Sequence, residues 1–227
     1  MNNFNAKTFK YFTQAQKNKD DRQWFLDNKS LYEQSVRMPF EKLITEISMN
    51  LSHELPLIKI NPKSVTRPLR NKNKAEKGLV KDFSHITLWE KKASLFEWNP
   101  AIHIQFGANN DDNHYGVGLY MVSSRQMKCM RQALTEDFEG IKRILNNKAF
   151  KKTWGGFIGE TYKRFPKGYD PEDKRNQYLW HKQFYVSKNL NRTQVKDKGL
   201  EKAIIKDLKT ALPFFNWLRD AVGTYTK

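Results

Sequence analysis

The hydrophobic residues of this chain change their period twice along its length, and that switch limits the folds open to it. Over residues 6–17, Phe9, Phe12 and Ala15 recur three apart until Asn18-Lys19-Asp20 interrupts them, which predicts a short helix. Asp20 or Asp21 is placed to cap a second helix, whose Trp24, Phe25, Leu31, Tyr32 and Val36 form a stripe as far as Arg37. Pro39 breaks or restarts that helix, and Phe40, Leu43, Ile44, Ile47 and Leu51 carry helical spacing on to Ser52. The period then falls to two. Residues 64–70, 84–90, 101–107 and 115–122 are short, rich in β-branched and aromatic side chains, and bounded by turn formers, as antiparallel strands are. The helical period returns after Ser123 or Ser124, which cap Met127, Met130, Arg131 and Leu134, followed by Phe138, Ile141 and Leu145.

Beyond that point residues 150–169 read as irregular, and Asp170-Pro171-Glu172-Asp173 opens a helix running to about 182. A strand is expected at 184–186 and helices at 199–211 and 213–222. The expected fold class is α+β: one domain over residues 1–227, with a central antiparallel sheet covered by N-terminal, middle and C-terminal helices, and 199–222 as a helical extension.

Composition narrows the function. A chain of 227 residues that is 38% hydrophobic and 13% aromatic has the material for a core, which excludes disordered and collagen-like classes. Its longest apolar runs, such as 119–122, are far too short to cross a bilayer, so no membrane partner is expected. Met1-Asn2-Asn3-Phe4-Asn5 lacks the basic start and apolar middle of a secretory signal, and cytoplasmic residence is the expectation. Cys129 stands alone, which excludes an internal disulfide framework and a multi-cysteine metal site. The net charge of +17 is concentrated. Residues 59–92 hold ten basic and three acidic side chains, residues 142–198 hold fifteen and five, and these two surpluses account for the whole excess. Charge of this kind favours a nucleic acid, another polyanion or an acidic protein as partner.

Three blocks carry a family likeness. The first is Arg22-Gln23-Trp24-Phe25, followed by Asn28-Lys29, Tyr32, Val36-Arg37 and Pro39. The second is Gly116-Val117-Gly118-Leu119-Tyr120, leading into a helix with Arg131. The third, and most specific, is Tyr162-Lys163-Arg164-Phe165-Pro166-Lys167-Gly168-Tyr169-Asp170, continuing through Leu179, Lys182 and Phe184-Tyr185-Val186. In order and spacing they resemble the family called domain of unknown function 2461 over about residues 4–190. The resemblance implies an α+β domain and no established activity. Where that family has an Arg-x-x-Arg-Asp start in its second strand region, this chain has Arg67-Pro68-Leu69-Arg70 with Asn71 in place of the acid. The following 72–78 stays basic but lacks the family's aromatic and Tyr-Lys elements.

Candidate chemistry follows from charge and geometry. Arg67 and Arg70 point to opposite faces of a regular strand, but a bend at Pro68 brings both to one side, where two planar guanidiniums grip a phosphate or carboxylate. The alternative is that one of them pairs with a structural carboxylate. Lys163, Arg164 and Lys167 surround the turn Pro166-Lys167-Gly168, a second anion candidate, although Asp170, Glu172 and Asp173 follow closely and oppose a phosphate there. Aromatic residues interleave the basic ones from Trp154 to Tyr185, the pattern by which single-stranded nucleic acid is held. His103 alternates with Ile102, Ile104 and Phe106 and shares a face with Gln105, which makes it a candidate acid or base. The five histidines include no metal-binding spacing, no phosphate-loop sequence or other cofactor signature occurs, and no catalytic set is assigned. The leading reading is a binding protein for a polyanion or a phosphate-bearing ligand. The others are an enzyme acting on a small phosphorylated or carboxylated substrate, and an interaction module for an acidic protein.

Overall fold

The computed structural model describes residues 3–55, 58, 64–71, 77–89 and 99–224. Helix α1 covers Ala6–Lys17, with Asn5 accepting from the Lys7 amide and the Thr8 hydroxyl closing a capping box. Asp21, rather than Asp20, caps α2, Arg22–Asp27, by accepting from the Trp24 amide. Helix α3, Lys29–Tyr32, leads into a π-helical turn over Glu33–Arg37 and then α4, Met38–Leu51. Pro39 is the reason for the irregularity expected here. It has no N–H to offer the Ser35 carbonyl one turn back, and the Thr8 hydroxyl donates to that carbonyl instead at 2.6 Å.

The sheet is four-stranded and antiparallel, in the order β1 (Phe83–Trp89), β2 (Ala101–Gly107), β3 (His114–Leu119) and β4 (Phe184–Asn189), so the α+β fold class stands as expected. Burial alternates along β1 and β2, with Ile102, Ile104 and Phe106 inward and His103 and Gln105 on the other face. The strand expected at 64–70 reduces to isolated bridges, Val65 with Ile86 and Leu69 with Val80. Pro68 between them has no amide to donate, and only its carbonyl is used, by the Lys81 amide at 2.8 Å. Gly116 and Gly118 let β3 approach β4 closely. A Cβ on Gly118 would lie 2.3 Å from the Phe184 carbonyl oxygen, at φ +146°, and one on Gly116 would lie 2.4 Å from that of Val186.

The described residues fall into two compact units, within Met1–Leu88, His103–Tyr115 and Asn189–Lys206 for the first, and Trp89–Ile102, Gly116–Lys188 and Asp207–Lys227 for the second. In the first unit, Phe40 of α4 stacks on Phe106 of β2 at 5.4 Å, with Phe4 edge-on to both rings. The short α8, Arg192–Val195, also belongs to this unit.

The second unit holds α5 (Ser124–Glu136), α6 (Phe138–Leu145) and α7 (Lys148–Trp154). Ser123 is the cap of α5. Helix α7 occupies the start of the stretch expected to be irregular, capped by Asn147 and ended by Gly155 at φ +74°. Phe157 meets Phe184 of β4 and Phe214 of α9, which runs over Leu200–Thr224. Two helices were expected there. Pro213 lies inside a single one, because Ala211, Phe214, Phe215 and Leu218 around it are buried and hold the helix through the missing hydrogen bond.

The helix expected over 171–182 does not form. Asp170 and Asp173 spend their carboxylates on nearby amides, as a capping sequence should, but the only helical turn that follows is a 3₁₀ turn at Lys174–Asn176. Buried Asn176 then ties back to the Asp170 carbonyl at 2.9 Å. The backbone of 180–182 is drawn into pairing with 160–162: the Tyr162 amide donates to the Trp180 carbonyl at 2.8 Å, and the Lys182 amide to that of Glu160 at 3.0 Å. Tertiary pairing overrides a local start signal.

Candidate functional site

That pairing sets Tyr162 across from Trp180 and Lys182 across from Glu160, with Tyr162 and Lys182 as diagonal neighbours. Opposite them, α5 presents Ser124, Lys128 and Arg131 at spacings of four and three, which is one face of a helix. Together with Tyr169 these residues line a cleft of about 490 Å³ in the second unit, within the size range of small-molecule sites. The Arg131 guanidinium lies 5.3 Å from the centre of the Tyr162 ring, and the Lys182 ammonium lies 5.8 Å from the same centre. Among the described residues Arg131 and Lys128 have no carboxylate partner, and the buried Nε of Arg131 has no hydrogen-bond partner at all. Lys182 pairs with Glu160 at 2.8 Å, and this ammonium holds the exposed carboxyl below its usual range. That pair is open to water and therefore screened.

The lining is thus cationic and hydroxyl-rich. Ser123 Oγ is committed to the α5 cap, accepting from the Gln126 amide at 3.1 Å, whereas Ser124 is exposed at the cleft. No carboxylate, imidazole or thiol is among the lining residues. Cys129, the neighbour of Lys128, is buried.

Of the residues singled out in the sequence, Lys163, Arg164 and Lys167 belong to this unit and are exposed, outside the cleft lining that their neighbours Tyr162 and Tyr169 form. Arg67 and Arg70 belong to the first unit. Arg67 is exposed, while Arg70 donates to the carbonyls of Gly78 and Val80 at 3.1 Å each, lies 4.0 Å from Asp82, and covers the Phe83 ring. This is the structural use that the sequence left open for one of the two. Much of the first basic stretch, including 59–63, 72–76 and 90–92, lies outside the described residues.

His103 stands in a row of imidazoles across three neighbouring strands, 5.0 Å from the His85 ring and 5.7 Å from the His114 ring. Its Nδ1 lies 2.9 Å from Thr87 Oγ1. Burial first, then the neighbouring His114, pushes it down to about 4 against a hydrogen bond with Gln105. His85 is pushed to about 3, by burial and then by His103, Lys81 and His114. Both are neutral, weak bases at physiological pH. Among the described residues no three His, Cys, Asp or Glu side chains group as a metal site. None of the described helices is long and apolar enough to cross a membrane.

A second basic cleft, about 360 Å³, lies in the first unit between α1 and α8 and is lined by Phe9, Lys10, Thr13, Arg192 and Lys196 among others. Arg192 is already engaged there, with its guanidinium over the Phe9 ring at 5.2 Å and donating to the Ala108 carbonyl.

The family described as conserved hypothetical protein (DUF2461) matches residues 7–217, nearly the whole chain. The chain belongs to the DUF2461 family. No match is found among curated proteins or among solved structures. The blocks by which the sequence resembles DUF2461 include four lining residues of the second-unit cleft, Arg131, Tyr162, Tyr169 and Lys182. Charge counting passes over Arg131, which lies outside both basic stretches, and does not single out Lys182 within the second, whereas the DUF2461 blocks name both; Lys128 has only its helical spacing to announce it.

Proposed function

We propose that this DUF2461 protein binds a phosphate-bearing ligand in the cleft formed by α5 and residues 160–182. The observation that carries the reading is the meeting of Arg131 and Lys182 on one tyrosine ring, with Arg131 lacking any acidic partner among the described residues. Both cations lie near one ring centre, at 5.3 Å and 5.8 Å, and an anion bound beside that ring takes up the idle Arg131 donor and adds a charge-assisted contact to each. The lining offers cations and hydroxyls and no carboxylate, a set of groups suited to holding an anion.

Isothermal titration with inorganic phosphate and with ribose 5-phosphate at low salt tests this. One saturable site is expected, weakened about tenfold or more in Arg131→Met and in Lys182→Met. Lys10→Met, in the other cleft, should leave it unchanged. Absence of saturable binding, or binding indifferent to Arg131→Met, overturns the reading.

A further inference from the structure

The surroundings of the same cleft carry exposed aromatic side chains as well as charge. Tyr120 is 59% exposed and Trp180 is 38% exposed, both unusual for side chains of their size. Tyr120 lies two residues before Val122, a lining residue, and so within about 7 Å of it along the chain. The Trp180 carbonyl accepts the amide of Tyr162, a lining residue, at 2.8 Å. Each ring has one aromatic neighbour at a steep interplanar angle, with Tyr185 5.0 Å from Tyr120 at 76° and Phe165 4.8 Å from Trp180 at 62°. Next to Tyr162 and Tyr169, the exposed Lys163, Arg164 and Lys167 extend positive charge beyond the cleft, and none has an acidic partner among the described residues.

Resting on the phosphate reading above, we propose that the ligand is single-stranded nucleic acid. One backbone phosphate sits between Arg131 and Lys182, adjoining bases stack on Tyr120 and Trp180, and further phosphates follow Lys163, Arg164 and Lys167. A cationic groove flanked by stacking platforms is the general means of holding a single strand, because every base offers a flat face. A duplex keeps its bases inside its own stack, out of reach of both rings, and an acidic peptide would engage the cations and leave the aromatics idle.

The test is fluorescence anisotropy with a short labelled oligothymidylate, set beside titration of inorganic phosphate into the same variants. The strand is expected to bind with log affinity falling by roughly 0.7 per contacted phosphate for each decade of salt. Tyr120→Ala and Trp180→Ala should each weaken it by about tenfold while leaving phosphate binding unchanged, and Tyr120→Phe and Trp180→Phe should restore it. Both side chains are exposed, so these variants are expected to fold, and circular dichroism checks that they do. A duplex that competes as well as the strand overturns the proposal, as does an affinity indifferent to loss of both aromatics. Phosphate binding without strand binding overturns this inference and leaves the phosphate reading standing; absence of both overturns the two together.

Discussion

The guanidinium of Arg131 stands 5.3 Å from the centre of the Tyr162 ring, with its Nε buried and unpartnered. An arginine in that position contributes little to folding, since a buried donor left unpaired costs free energy. Arg131→Met is therefore expected to change unfolding free energy by no more than about 1 kcal/mol, in either direction. Thermal denaturation checks this, and its anion dependence is the sharper readout. Phosphate should raise the midpoint of the native protein by more than that of the variant at the same concentration. A large loss of stability in Arg131→Met without phosphate would assign the residue a structural role.

Buried His85 and His103 make stability depend on pH. His103 titrates at about 4 and His85 at about 3 in the folded chain, both below the usual 6.5, so between these values the unfolded chain binds more protons than the native one. Their contribution is fully present above pH 6.5 and is lost as pH falls toward 4 and then 3. Each buried imidazole should remove roughly 1–2 kcal/mol between about pH 7.5 and about pH 5. Urea unfolding across that range measures the slope. His103→Gln should flatten it by about one proton, and an unchanged slope would place the acid sensitivity in the carboxylates instead.

The elements set by neighbouring residues were legible in the sequence, and those set by distant ones were not. Asn5 and Thr8 build the α1 cap within four residues, Ser123 and Gln126 do the same for α5, and the alternation of Ile102, His103, Ile104 and Gln105 fixes β2. Asp170-Pro171 gives an equally good local signal, yet residues 180–182 gain more from pairing with 160–162 than from continuing a helix. Pro213 reads as a boundary because its missing N–H is local, whereas the burial of Phe214 and Phe215 that carries α9 through it is not. The cleft has the same character. Arg131 lies on α5, while Tyr162 and Lys182 are joined only by backbone pairing across a segment that reads as a helix, so neither periodicity nor charge counting brings the three together. Arg70 looks like a free clamp until the carbonyls of Gly78 and Val80 fold back onto it.

Gly118 sets the spacing between β3 and β4, and with it the approach of Tyr120 to Tyr185. Its φ of +146° disfavours any side chain, and a Cβ would meet the Phe184 oxygen at 2.3 Å and the Tyr185 Cα at 2.4 Å, both backbone atoms that cannot swing aside. Gly118→Ala is expected to cost about 3 kcal/mol or more, read by chemical denaturation or as loss of soluble protein. Gly155→Ala separates conformation from crowding. It also has positive φ, at +74°, but nothing lies within 4 Å of its would-be Cβ, and about 1–3 kcal/mol from backbone conformation alone is expected.

Thr8 and Pro39 form a pair that a double-mutant cycle should expose. The Ser35 carbonyl accepts the Thr8 hydroxyl at 2.6 Å because residue 39 has no amide hydrogen with which to reach it. Thr8→Val keeps the shape of the side chain and leaves that buried carbonyl without its donor, a loss of about 1–3 kcal/mol. In Pro39→Ala the new N–H lies one turn along the helix from Ser35 and can take over the bond, so the valine substitution should cost less in the Pro39→Ala background than in the native one. A coupling of about 1 kcal/mol in that direction is expected from urea titrations of the four proteins. Strict additivity would mean that the Thr8 hydroxyl serves only the α1 cap, where it closes the box with the Asn5 amide at 3.0 Å, and that the π-helical turn before α4 persists for reasons other than the missing donor.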